Sequence, residues 1–122
     1  MSMNRALTVP SIDLYDDSGR VDLSAVAEYV KEPVTHFTGM VGMSESGLRK
    51  NPTSEKAQVA GRRFVRILDK LEHELGGKKI ALAWLKTPNA ELEERSAFEL
   101  ILDGEFEPVE GLIESIATGQ PG

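Results

Sequence analysis

Apolar residues recur every three or four positions along most of this chain, and they never alternate over a stretch long enough to predict a strand. From Asp22 the spacing is helical. Leu23, Val26, Ala27 and Val30 share one face, and Asp22 or Ser24 can cap the start. Pro33 opens a second, short helix with Val34, Phe37, Thr38 and Val41 directed inward, and Gly42 ends it. Met43 follows, and Ser44 caps a helix over Glu45–Lys50. A small residue four places before a turn glycine, then an apolar residue and a capping serine, is the layout of a helix-turn-helix.

The longest helix is predicted over residues 54–75. Ala57, Ala60, Phe64, Ile67, Leu68, Leu71 and Leu75 form its stripe, with Arg62, Arg66 and Lys70 opposite and Gly76-Gly77 as its stop. A short helix over residues 79–86 closes at Thr87-Pro88-Asn89, because the residue before proline avoids helical geometry. Ser96 and Glu99 stand as a capping box for a helix reaching Leu102, and Asp103-Gly104 ends it. The last helix starts near Glu105 and tolerates Pro108 in its first turn. Its apolar face is Phe106, Val109, Ile113, Ile116 and Ala117, with Leu112 at the edge and Glu107, Glu110 and Glu114 as an acidic stripe.

The fold class is therefore all-α: a helix-turn-helix-like N-terminal part, a long central helix and a small C-terminal helical part. Three segments follow: an arm over residues 1–20, a helical part over 21–76, and a C-terminal part with its tail over 77–122. The arm has no sustained period. Asp16-Asp17-Ser18-Gly19 reads as a turn, and either disorder or a short extended piece near residues 7–14 is compatible with the rest.

With 122 residues the chain suffices for one compact domain, or two small helical units sharing a core. It has no cysteine, hence neither disulfides nor Cys-ligated zinc. No apolar run spans a bilayer and residues 1–10 lack a signal peptide's apolar stretch, so a soluble cytoplasmic protein is expected. The net charge of −6 argues against a general nucleic-acid binder. Its distribution says more. Residues 44–86 carry ten bases and five acids, whereas residues 87–122 carry Arg95 against nine acids. Such asymmetry predicts a basic and an acidic surface with different partners.

The sequence points away from catalysis. His36 and His73 fall on separate predicted helices without a ligand-spaced neighbour, so no metal site and no cofactor are expected. Gly39, Gly42 and Gly47 do not follow a strand and do not make a phosphate loop, and no serine lies in a nucleophile elbow. The helix-turn-helix layout instead invites a DNA role. Ser46, Arg49 and Lys50 lie on the candidate reading helix, and Arg62, Arg63 and Arg66 on the next helix can reach phosphates. Gly47 weakens that reading helix by roughly 1 kcal/mol relative to alanine.

Trp84-Leu85-Lys86-Thr87-Pro88-Asn89, the Arg95-Ser96 helix start, Leu100 and the Asp103-Gly104 break together resemble the toxin-binding domain of the Xre/MbcA/ParS-type antitoxins. The resemblance covers about residues 22–122. It implies a non-enzymatic type II antitoxin whose cognate partner is a RES-domain toxin, either consuming NAD or ADP-ribosylating with it. It also implies a homodimer within a hetero-oligomer, and operator DNA as a further partner through the N-terminal part. The C-terminal part and tail would cover the NAD pocket. On this resemblance the toxin-facing residues are Trp84, Lys86, Asn89, Arg95, Glu105, Glu107, Glu110, Glu114, Gln120, Pro121 and Gly122. An enzyme that holds NAD's pyrophosphate needs a basic rim, which an acidic surface complements. Trp84, Leu85, Phe98 and Phe106 are the candidate apolar anchors, although Trp84 also suits a core position. The family commonly has glycines before the short helix, where this chain has Glu93-Glu94. An alternative from another class is a stand-alone helix-turn-helix transcriptional regulator.

Overall fold

The computed structural model describes residues 13–119, and its helices begin and end on local hydrogen bonds. Helix α1 (Leu23–Val30) is capped by Asp22, whose carboxylate accepts from the amides of Ser24 and Ala25. A 3-10 turn, Val34–Phe37, runs directly into the single turn α2 (Thr38–Val41), which closes at Gly42 in the left-handed region. Ser44 caps α3 (Glu45–Lys50), accepting from the Gly47 amide at 3.0 Å. A Cβ on Gly47 would meet that same oxygen at 3.0 Å, so the glycine that weakens α3 also admits its cap.

A second 3-10 turn, Glu55–Ala57, leads into α4 (Gln58–Leu75), which stops at Gly76. Then come α5 (Lys78–Lys86), β1 (Pro88–Asn89), a 3-10 turn at Ala90–Leu92, β2 (Arg95–Ser96), α6 (Ala97–Leu102) and α7 (Phe106–Thr118). The predicted capping box is present: the Glu99 amide donates to Ser96 Oγ and the Ser96 amide to Glu99 Oε1, each at 3.1 Å.

The architecture is helical, as the spacing predicts, with two departures. Strands β1 and β2 pair antiparallel, Pro88 opposite Ser96 and Asn89 opposite Arg95. Two-residue strands are too short to leave a period in the sequence. The first helix of the expected helix-turn-helix, the one opened by Pro33, divides into the 3-10 turn and α2, where Gly39 packs so close that a Cβ would approach the Leu102 carbonyl to 3.1 Å.

One cluster of buried side chains extends from Leu14 to Ile113, with α4 at its centre. Phe37, Phe64 and Phe98 meet in its middle at centroid separations of 5.8 to 6.2 Å. Val65 is buried alongside the predicted stripe, because α4 is covered on more than one side. Of the N-terminal arm, residues 13–20 form a turn held to this core. Asp16 Oδ1 accepts from the amides of Ser18 and Arg20, and Tyr15 bridges to Val21. Gln58 then brackets Val21, accepting from its amide at 2.8 Å and donating to its carbonyl at 3.0 Å. The extended piece expected near residues 7–14 lies almost wholly outside the described residues. No described helix is long and apolar enough to cross a membrane.

Candidate interaction surfaces

The turn joining β1 to β2 is built from acids in an uncommon backbone conformation. Glu93 and Glu94 take φ of 59° and 66°, in the left-handed region that favours glycine. The turn closes because the Glu94 amide donates to the Asn89 carbonyl at 2.9 Å and the Asn89 side chain accepts from the Glu91 amide at 2.8 Å. Glu91, Glu93 and Glu94 are all exposed and form no salt bridge among the described residues.

A groove of about 230 Å3 lies beside this turn, lined by Leu92, Leu100 and Pro108 together with Glu91, Glu93 and Glu105. Arg95 lines it as the one cation. It is braced by Asp103 Oδ2 at 2.6 Å and lies 3.9 Å from Glu99, and Asp103 holds its guanidinium above the usual pKa. Glu105 and Glu107 are exposed at the start of α7, where the helix dipole favours negative charge.

Farther along α7 the acids are committed inside the molecule. Glu110 accepts from Arg63 in a two-pronged pair at 2.7 and 2.8 Å, and Arg63 also lies 5.0 Å over the Phe106 ring. Arg63 keeps the Glu110 carboxyl below its ordinary pKa, with Arg66 adding to the effect. Lys70 meets Glu114 at 3.2 Å. Arg63 and Lys70 of α4 and Glu110 and Glu114 of α7 are thus two sides of one seam, and the expectation of two separate outward surfaces is corrected to that extent. Both pairs are a third or more exposed, so solvent screening limits each to about 1 kcal/mol or less.

The expected apolar anchors are corrected as well. Leu85, Phe98 and Phe106 are 0%, 7% and 4% exposed, so they hold the core and offer nothing to a partner. Each lies on the inward face of its helix. Trp84 is half-buried and packs against that core. Lys86 donates to the Val30 carbonyl at 2.8 Å and pairs with Glu32 at 2.6 Å, tying α5 to the end of α1. Gln120, Pro121 and Gly122 lie outside the described residues.

The candidate DNA-reading residues are divided. Ser46, Arg49 and Lys50 are exposed on α3, with Arg49 3.7 Å from Glu45. Arg62 donates to the Gly19 carbonyl at 3.1 Å, Arg66 is exposed, and Arg63 belongs to the seam. His36 bonds to Glu32 at 2.9 Å, and among the described residues no three His, Asp or Glu side chains gather as metal ligands. The left-handed Glu93-Glu94 pair escaped sequence reasoning. The available signal was the missing glycine itself: a loop that tight needs positive φ whichever residue occupies it.

Fold and surface together define a one-core helical domain with an ion-paired α4–α7 seam and an acidic turn beside it. The same fold occurs in a chain of the crystal structure of the M. tuberculosis MbcT-MbcA toxin-antitoxin complex. The match has a TM-score of 0.55 at 24% identity, over 80% of this chain and 92% of that one. No family model matches the sequence, and no curated protein does.

Proposed function

We propose that this chain is the antitoxin of a type II toxin-antitoxin pair, binding a RES-domain toxin and covering the pocket in which that toxin holds NAD. The observation that carries the reading is the likeness over four-fifths of the chain to a chain of a toxin-antitoxin complex. The acidic turn supports it independently. Glu91, Glu93 and Glu105 line one groove, Glu94 and Glu107 are exposed next to them in the sequence, and none of the five makes a salt bridge among the described residues, which suits a basic rim on an NAD-consuming enzyme. Glu110 and Glu114 serve the interface only from within the seam. The inhibitor blocks access by contact and supplies no chemistry, so no cofactor is required of it.

Exposed Ser46, Arg49 and Lys50 on a capped α3 favour a second role, repression of the pair's own operon by a dimer in the cytoplasm. A stand-alone regulator would use the same residues. Co-expression with the cognate toxin, followed by a high-salt wash and mass spectrometry, tests the main reading. A stoichiometric RES-domain protein that regains NAD consumption when freed supports it. The chain recovered alone, binding operator DNA only at low salt, overturns it in favour of the regulator.

A further inference from the structure

The groove between the end of α1 and helix α5 has no part in that reading. It encloses about 690 Å3. Leu82, Ala83 and the stems of its lysines give it an apolar lining over buried Val30, and Lys31, Lys78, Lys79 and Lys86 supply its charge, with no acid among the lining residues. In a chain of net charge −6, this gathers four of fourteen bases around one depression.

The four lysines are not equivalent. Lys86 is occupied by Glu32 and the Val30 carbonyl, so it forms a wall. Lys78 lies 4.0 Å over the Tyr29 ring, where the ring face keeps the ammonium in place without neutralising it. Lys31 and Lys79 make no salt bridge among the described residues. Lys31 also has φ 64° and ψ 46° at the C-cap of α1, a position that glycine or asparagine ordinarily fills. A lysine there strains the backbone, and its ammonium makes no salt bridge among the described residues in return.

We infer that this groove docks an acidic amphipathic helix of a partner protein, its apolar face on Leu82, Ala83 and the lysine stems and its carboxylates on Lys31, Lys78 and Lys79. The apolar lining selects against a phosphate backbone, which would leave it uncovered. Lysines on flexible stems around an open depression lack the converging backbone donors that fix a small anion. The chain already contains the same kind of packing, since α4 presents Arg63 and Lys70 to the acids of α7 beside buried Phe106 and Val109. Helix α5 has nine residues and so runs about 13 Å, enough to seat two to three turns of a partner helix. No toxin is needed for this inference, and it stands or falls separately from the antitoxin reading.

The test uses the full chain and a fluorescein-labelled synthetic helix with leucines on one face and glutamates on the other. A version with glutamine for glutamate, inorganic pyrophosphate and a short DNA duplex serve as competitors, read by anisotropy and amide NMR shifts. The glutamate helix should bind, weaken with salt, and shift amides at residues 30–31 and 78–87. Lys79→Ala and Lys31→Gly should each lower affinity about two- to fivefold, the worth of one exposed ion pair. Lys31→Gly should do so with the melting temperature unchanged or raised, which separates docking from folding. Absence of binding, equal binding of the glutamine helix, or shifts centred elsewhere overturns the inference. Displacement by pyrophosphate or DNA with the same shifts reassigns the groove to a small anion or to nucleic acid.

Discussion

The acids of the last third of the chain serve two different ends. In the α4–α7 seam, Glu110 and Glu114 face Arg63 and Lys70, and their charge helps hold one helix on another. In the β1–β2 turn, Glu91, Glu93 and Glu94 make no salt bridge among the described residues, and two of them occupy left-handed backbone. The seam uses charge to stabilise the fold, whereas the turn carries charge at a cost to it. Strain retained at an exposed acidic turn is expected where the exposed groups have work outside the chain.

The seam should break first under loss of its apolar anchor. Phe106→Ala removes a 4%-exposed ring that Arg63 covers, and should cost about 3–5 kcal/mol in chemical denaturation. For the same reason, truncation at residue 105 would test folding and not the interface.

Charge reversal in the turn, Glu91→Lys with Glu93→Lys and Glu94→Lys, should leave stability within about 0.5 kcal/mol. It should also slow association with the toxin about tenfold, measured by stopped flow at low salt. An unchanged association rate would remove the turn from the proposed interface.

Arg63→Ala should cost about 1 kcal/mol, with Glu110→Gln costing less, and a double-mutant cycle would give their coupling. The pair also sets a pH dependence of known sign. Glu110 has its folded pKa below its ordinary value, so its contribution is present above the unfolded pKa and disappears as pH falls through the folded one. Glu32, lowered chiefly by its bond from Lys86, acts in the same direction at the α1–α5 junction. Urea midpoints measured from pH 6 down to pH 3 should therefore fall less steeply for Glu110→Gln than for the parent chain.

The smallest effect should have the opposite sign. Glu94→Gly relieves a φ of 66° and should stabilise by roughly 0.5 kcal/mol, the left-handed penalty less the added entropy of the unfolded chain. A loss of stability would show that the acid is held in that conformation by contacts of its own.

What could be read from the sequence was local. Asp22, Ser44 and the Ser96–Glu99 box bond within four residues of themselves, and Gly42 and Gly76 end helices through their own φ, so type and spacing predict them. The apolar face of α7 was legible because its three buried residues, Phe106, Val109 and Ile113, keep helical spacing. What needed the tertiary structure was the destination of each surface group. Arg63 and Glu110 are 47 residues apart, and nothing in either neighbourhood says that they meet. The same holds for Lys86, which reaches Val30 across 56 residues, and for Phe98, whose burial depends on Phe37 and Phe64 arriving from other elements. Short-range hydrogen bonds and helical period are written in consecutive residues. Whether a charge is paired within the chain or offered to a partner depends on which distant face packs against it, and only the folded chain decides that.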